Sequence, residues 1–238
     1  MIQNLPQHIG IIPDGNRRFA RRLMKKPWKG HEWGFEKFKE VFEWCKELGI
    51  KIITVYSLSL ENLSKRPKEE LEMLFNIARK EINEILNNKE NFIRKYKIKL
   101  SFFGNLEVLP NDLQDGIRKV KKLTENNKDY FINIAIAYGG RQEIVRASQK
   151  IAADVLKGRL KPEDIDEAIL RQNLQTNGFP DPDLIIRTGG EKRISNFLIF
   201  QAAYSELAFI DKYWPEITKD EFIQILKDYS QRERRFGR

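Results

Sequence analysis

Cysteine is almost absent from this chain. Cys45 stands alone among 238 residues, so no intramolecular disulfide forms, and two histidines are too few for the usual zinc cages. Long apolar runs are missing too: no stretch approaches the ~18 uncharged residues that a membrane-spanning helix requires. No basic segment leads into an apolar run at the start of the chain, so no secretory signal is expected and the protein is expected in the cytosol. No repeat, low-complexity tract or Pro/Gly/Ser-rich linker divides the sequence. Acidic residues are in deficit, 34 against 43 Lys plus Arg, which leaves a net charge of +9. The partner that balances it is anionic: nucleic acid, anionic lipid or a phosphorylated small molecule.

What is present is a regular alternation. A chain of this length suits one large domain, burying roughly 70–75% of its extended surface without staples. Strands are expected at residues 8–12, 51–60, 97–103, 130–138, 183–188 and 206–210, each short, apolar and rich in β-branched residues. Helical periods fill 31–48, 68–95, 112–123, 142–156, 163–173 and 218–235, with Cys45 on the apolar stripe of the first. Such alternation demands crossover connections, hence an α/β fold with a largely parallel sheet and helices on both faces. Ligands of these sheets bind beyond the carboxyl ends of the strands. That rule places residues 14–18, 58–66, 139–141 and 187–195 on one rim.

The stretch after the first strand, Pro13-Asp14-Gly15-Asn16, is followed by Arg17, Arg18, Arg21 and Arg22. A glycine turn opening a helix offers free N–H groups to an anion, and an arginine fork suits a phosphate. Asp14 would repel that anion unless a divalent cation lay between them, and Mg²⁺ binds in this way. An Asp-Gly turn before a solvated basic helix is the alternative. In RTGGEKRISNF, residues 187–197, two arginines, a hydroxyl and a glycine loop suit a second diphosphate; a surface turn with scattered charges remains open. SLENLSKRP, residues 59–67, reads either as a polar substrate loop or as a helix cap.

Taken together, HIGIIPDGNRRFA, GHEWG, SLENLSKRP, IAYGGRQEIV, DLIIRTGGEKRISNFLIFQAAYSEL, WPEI and RERRFG resemble, in order and spacing, the cis-prenyltransferases of the undecaprenyl diphosphate synthase family. The resemblance implies a single α/β domain over residues 1–238, with a mostly parallel six-stranded sheet, a hydrophobic product tunnel, and a homodimer or heterodimer. It implies Mg²⁺-dependent condensation of isopentenyl diphosphate onto an allylic diphosphate, farnesyl or geranylgeranyl. The product would be a medium- or long-chain cis-polyprenyl diphosphate for lipid carrier synthesis.

Position by position, the resemblance makes Asp14 the Mg²⁺-binding carboxylate, with Gly15, Asn16, Arg17, Arg18 and Phe19 cradling the allylic diphosphate and His31 assisting. Arg187, Arg193, Ile194 and Ser195 match the isopentenyl diphosphate site, and Glu206 a second metal ligand. Ser59, Leu60, Glu61, Asn62 and Leu63 match the loop near the reacting carbons. Asn62 is its proton-acceptor candidate, but an amide is a poor base at neutral pH, so a phosphate oxygen is expected to take the proton while Asn62 orients it. Arg235 and Gly237 match an element that reaches the partner subunit's site.

Departures cluster around the allylic substrate. Pro13 replaces a common methionine, Leu63 an aromatic residue, and Lys65 is an apparent insertion that leaves the basic role to Lys65 or Arg66. On the long helical period, Ile77, Ala78, Ile82, Ile85, Leu86 and Phe92 are expected either to wall a tunnel or to pack as core. Lys89, Arg94, Lys95 and Lys97 offer peripheral contact with the inner face of an anionic membrane. Two other functions stay open: a non-catalytic partner subunit, and a basic nucleic-acid-binding protein. The first usually loses the Asp and Arg set that is intact here. The second needs a groove-reading helix or RNA-binding motif, and neither is found.

Overall fold

The computed structural model describes residues 2 and 4–232. Six strands form one sheet in the order β3-β4-β2-β1-β5-β6, with every neighbouring pair parallel. They are β1 (His8–Ile12), β2 (Ile52–Ser59), β3 (Ile98–Phe103), β4 (Tyr130–Tyr138), β5 (Leu184–Arg187) and β6 (Glu206–Phe209). Central β1 is buried at all five positions, which is why HIGII reads as a continuous apolar run and not as an alternating one. The carboxyl ends of β1, β2, β4 and β5 converge on one rim, where β2 shifts register twice against β4 between Tyr56 and Ser59.

Nine α-helices surround the sheet among the described residues: α1 (Asn16–Arg22), α2 (Pro27–Glu47), α3 (Leu60–Lys65), α4 (Lys68–Asn87), α5 (Phe92–Lys95), α6 (Asn111–Thr124), α7 (Gly140–Leu156), α8 (Glu167–Asn173) and α9 (Lys219–Ser230). The six expected strands are present, and the expected helices with changed bounds: the one over 163–173 starts only at Glu167, and the one over 218–235 ends at Ser230, residues 233–235 lying outside the described ones. The helix expected from residue 31 instead begins at Pro27, whose missing N–H costs nothing in a first turn. The helix expected over 68–95 breaks after Asn87; Asn88 turns extended, and Asn91 restarts the chain as α5 by accepting from the Ile93 N–H at 3.0 Å.

One core cluster packs Phe38, Val41, Phe42 and Cys45 of α2 and Phe222 and Leu226 of α9 with β-strand residues such as Ile9, Ile11 and Ile53. Cys45 is fully buried, and burial pushes its thiol well above the usual range, as expected of a core cysteine. A second cluster stacks Tyr56 on Phe197, rings 4.7 Å apart. Helix α1 lies tight against α2 because Gly30 and Gly34 leave room for Asn16. A Cβ at Gly30 would fall 1.9 Å from the Asn16 carbonyl oxygen, and one at Gly34 would fall 2.4 Å from Asn16 Oδ1.

Candidate active site

Asp14 sits just past the end of β1, and its main chain is gripped from two sides. Its carbonyl accepts from the Thr188 hydroxyl at 2.8 Å and from the Trp214 N–H at 2.9 Å. Gly15 follows at φ +98°, a conformation that favours glycine, and a Cβ there would lie 2.5 Å from the Tyr213 ring. The turn opens α1, whose first N–H groups have no acceptor within the helix. The Asp14 carboxylate lies between two guanidinium groups, with Arg18 Nη2 3.2 Å from Oδ1 and Arg187 Nη2 2.9 Å from Oδ2. Arg18 is steadied over the face of Tyr213, 5.2 Å from the ring centroid.

Arg187, at the end of β5, is 5% exposed and joins two loops. One nitrogen holds Asp14; the other donates to Ser195 Oγ at 2.7 Å and to the Arg193 carbonyl. The loop after it carries Gly189 at φ +88°, Ser195 at +50°, Asn196 at +66° and Leu198 at +46°, a concentration of left-handed backbone that the surrounding contacts must hold. Gly189 is required by closeness as well: a Cβ would stand 2.6 Å from Arg18 Nη2 and 3.2 Å from Asp14 Cβ. Ser195 and Arg193 are exposed at the rim, Arg193 pairing with Glu191 at 2.5 Å, while Ile194 packs against the Tyr56–Phe197 cluster.

Ser59 ends β2 and caps α3 by accepting from the Asn62 N–H at 3.0 Å. Glu61 and Asn62 face solvent at the rim, and Leu60 and Leu63 pack against a third apolar cluster. Asn196, missed by sequence reasoning as a site residue, ties this helix to the arginine loop. Its Nδ2 donates to Glu61 Oε1 at 2.7 Å, its Oδ1 accepts from the Arg141 N–H at 2.9 Å, and its carbonyl accepts from the Gly140 N–H at 2.8 Å. Burial resists ionisation of Glu61, but hydrogen bonds from its own backbone, Asn196 and Ser59 outweigh it and hold the carboxyl below the usual range.

A buried polar knot closes the other side. Arg66 Nη1 lies 2.9 Å from Glu70 Oε1 and 3.0 Å from His31 Nε2, and Arg17 Nε is 3.4 Å from Glu70. Of the two candidates for the basic role, Lys65 is exposed at the end of α3, while Arg66 turns inward. Glu70 is a second residue that was missed; its only signal was the four-residue spacing from Arg66 on a shared helical face. Burial lowers the His31 pKa, and contacts with His31, Arg66 and Arg17 hold Glu70 ionised. Phe19 is half-buried, its ring edge-on to Trp33 at 5.5 Å and covered by the Arg22 guanidinium 5.2 Å from its centroid.

Glu206 does not join this site, contrary to expectation. It begins β6, paired with Leu184 at the amino end of β5, whereas Asp14 lies past the carboxyl ends; its carboxylate is bound to Arg232 at 2.6 Å. Arg235 and Gly237 lie outside the described residues. Among the described residues no three His, Cys, Asp or Glu side chains converge on one point. The donor set therefore suits Mg²⁺ held by the partly exposed Asp14 carboxylate and completed by ligand phosphate oxygens and water, an arrangement common for this ion.

Behind the rim opens an apolar cavity with an empty volume of about 1390 Å³, mouth included. Pro13, Asn16 and His31 stand at its polar end; its walls come from α2, α4, α6 and the sheet. Of the residues expected either to wall a tunnel or to pack as core, Ile77, Ala78, Ile82, Ile85 and Phe92 line the cavity, Ile82, Ile85 and Phe92 also packing with the main core, and Leu86 packs on that core alone. Of the twenty residues of α4 only Glu70 and Ile85 are buried; Ile77 and Ala78 line the cavity, while Leu71, Leu74, Phe75, Ile82 and Leu86 are partly buried against the neighbouring apolar clusters.

A prenyltransferase family model described as "Putative undecaprenyl diphosphate synthase" matches residues 12–237. A tritrans,polycis-undecaprenyl-diphosphate synthase (geranylgeranyl-diphosphate specific) from Methanopyrus kandleri is 48% identical over 98% of this chain and 85% of its own length. The enzyme of that name from Pyrococcus horikoshii is 47% identical over 98% and 88%. Among solved structures, lavandulyl diphosphate synthase from Lavandula x intermedia in complex with dimethylallyl diphosphate superposes with a TM-score of 0.91 at 37% identity, covering 98% of this chain and 99% of that one. A probable undecaprenyl diphosphate synthase from Campylobacter jejuni gives 0.80 at 32% identity, covering 99% and 100%.

Proposed function

The chain belongs to the undecaprenyl diphosphate synthase family of cis-prenyltransferases, and on that footing we propose that it extends geranylgeranyl diphosphate with isopentenyl diphosphate into a polyprenyl diphosphate of medium or greater length for use as a lipid carrier. The geranylgeranyl starter follows from the specificity in the names of the archaeal relatives. The observation that carries the reading is the Asp14–Arg187 pair, which couples two anion-binding loops at the mouth of one apolar cavity. Two diphosphates bound there lie side by side, as a condensation between two isoprenoid diphosphates requires.

In this reading Arg18, the α1 amides and the His31–Arg66 knot hold the allylic diphosphate, with its hydrocarbon tail in the cavity. Arg187, Arg193 and Ser195 hold isopentenyl diphosphate. Mg²⁺ at Asp14 would neutralise the negative charge that gathers on the leaving diphosphate. The arginines around Asp14 stabilise the same charge as the allylic C–O bond breaks. The new C–C bond joins the allylic carbon to the isopentenyl double bond, and a proton then leaves the isopentenyl unit. Exposed Asn62, at the rim, orients the phosphate oxygen that accepts it. The basic residues Lys89, Arg94, Lys95 and Lys97, expected near the mouth of a tunnel, lie on and around α5, at the opposite end of α4 from the Arg66–Glu70 pair, and suit peripheral contact with anionic lipid. No helix among the described residues is long and apolar enough to cross a membrane.

The test is radiolabelled isopentenyl diphosphate with dimethylallyl, geranyl, farnesyl and geranylgeranyl starters, the products being sized by chromatography. Preferred extension of the geranylgeranyl starter to about ten or more isoprene units is expected by analogy with the family, the apolar cavity being the channel. A dominant product of three or four units would overturn the long-chain reading.

A further inference from the structure

One carboxylate stands in the wall of the apolar cavity. Glu81 is the only acidic lining residue among the described ones, set among Ile77, Ala78, Ile82 and Ile85 of its own helix and Phe35 and Phe38 of α2. At 1.5 Å per residue it lies about 16 Å further along α4 than Glu70, well inside the cavity from the polar knot. Its side chain is 15% exposed, at the seam where α4 meets α2.

The charge there is poorly matched. Lys39 Nζ lies 4.0 Å away, beyond hydrogen-bond reach, and is shared: Glu36 holds it at 3.0 Å and Phe35 takes it over its ring at 4.6 Å. Burial raises the Glu81 pKa; Lys39 and Lys80 oppose that, while Glu36 and Glu84 add to it. From the other side α6 offers the cavity only apolar Leu113, Ile117 and Val120. A carboxylate in such a wall keeps its charge by keeping some water, and covering it with hydrocarbon is costly.

We propose that Glu81 is a product-length determinant: the growing chain elongates freely until its tail reaches this carboxylate, and growth past it is opposed because the tail must strip the charge of water. The proposal rests on the reading that the cavity receives the growing chain. It deepens that reading by assigning the stop to an electrostatic element of α4 and not to a bulky floor.

The experiment sizes products from geranylgeranyl diphosphate and labelled isopentenyl diphosphate for the wild type, Glu81→Gln, Ala78→Phe and the milder Ala78→Leu, from about pH 8.5 to about pH 5.5. Glu81→Gln keeps shape and removes charge, so its longest abundant product gains at least one isoprene unit. The wild-type distribution also lengthens as pH falls and Glu81 takes up a proton, whereas that of Glu81→Gln stays fixed. Ala78→Phe or Ala78→Leu narrows the cavity beside Glu81 and shortens the product. If the Ala78 variants shorten products while Glu81→Gln matches or falls short of the wild type, the length assignment is wrong and the cavity reading stands. If neither position moves the distribution, the chain does not grow in this cavity and both readings fall.

Discussion

Arg187 is the residue on which the two halves of the site depend. Sequence reasoning assigns it to isopentenyl diphosphate alone, as an equal of Arg193, yet the two differ in setting. Arg187 is buried and holds Asp14 as well as Ser195, while Arg193 is exposed and pairs with Glu191. Alanine at Arg193 should therefore raise the isopentenyl diphosphate KM, by ~10-fold or more for a charge-assisted contact of about 1.5–3 kcal/mol, and leave kcat near normal. Alanine at Arg187 should raise that KM and also lower kcat, because it frees the Asp14 carboxylate from one of its two fixed guanidinium partners. Steady-state kinetics with each substrate varied in turn make the comparison. An unchanged kcat for Arg187→Ala would show that the Asp14–Arg187 pair does not serve turnover.

At the scale of elements, the contact of α1 with α2 decides where Asn16, Arg17 and Arg18 stand. Gly30→Ala drives a methyl group onto the Asn16 backbone, which cannot swing away as a side chain would. Overpacking of this kind costs about 1–3 kcal/mol, and the displacement should also weaken starter binding. Gly158→Ala is the contrast: its φ is positive, +67°, as that of helical Gly30 is not, and it has nothing within 4 Å of its Cβ. Thermal melts and the starter KM should move together for Gly30→Ala, and Gly158→Ala should shift the melt alone. Much at this scale was legible in the sequence. Alternating apolar strands and helical stripes placed all six strands, and the carboxyl-end rule brought Asp14, Glu61 and Arg187 to one rim. Other features were not legible, for physical reasons. A helical stripe says which face of α4 is apolar but not whether that face meets side chains or a void. Glu206 took its metal role from the resemblance alone, although the strand expected at 206–210 already set it at an amino end, away from the rim. Asn196 and Glu70 act through partners 135 and four residues away; only the fold, or a helical spacing too common to single out, brings them to the site.

For the whole molecule, the only two histidines link stability to pH. His8 sits in β1, 3% exposed, at the centre of the sheet. Its Nδ1 is 2.7 Å from the Pro180 carbonyl, which can only accept, so Nδ1 carries the proton. Nε2 then accepts from the Thr54 hydroxyl at 2.7 Å, and Asn133 donates to that hydroxyl at 3.1 Å. A second proton on His8 would turn Nε2 into a donor and leave the Thr54 hydroxyl proton without its acceptor inside the core. Burial accordingly lowers the His8 pKa despite the pull of Asp183 and Asp181, and burial lowers that of His31 as well. A lowered native pKa means that the unfolded chain binds more protons just below about pH 6.5, so stability is full above that value and falls as pH drops through it. Two such groups set a limiting slope of about 2.7 kcal/mol per pH unit. Glu81, with its raised pKa, acts in the opposite sense, losing native stability as pH rises past its titration. Urea unfolding at about pH 7.5, pH 6.5 and pH 5.5 should show the wild type weakening toward acid. Thr54→Val removes the hydroxyl that needs a bare Nε2 and should lower stability at pH 7.5, whereas His8→Gln, which cannot take up a proton, should roughly halve the slope. A wild type whose stability is flat across this range would mean that neither histidine is neutral by necessity, and the hydrogen-bond assignment around His8 would have to be reversed.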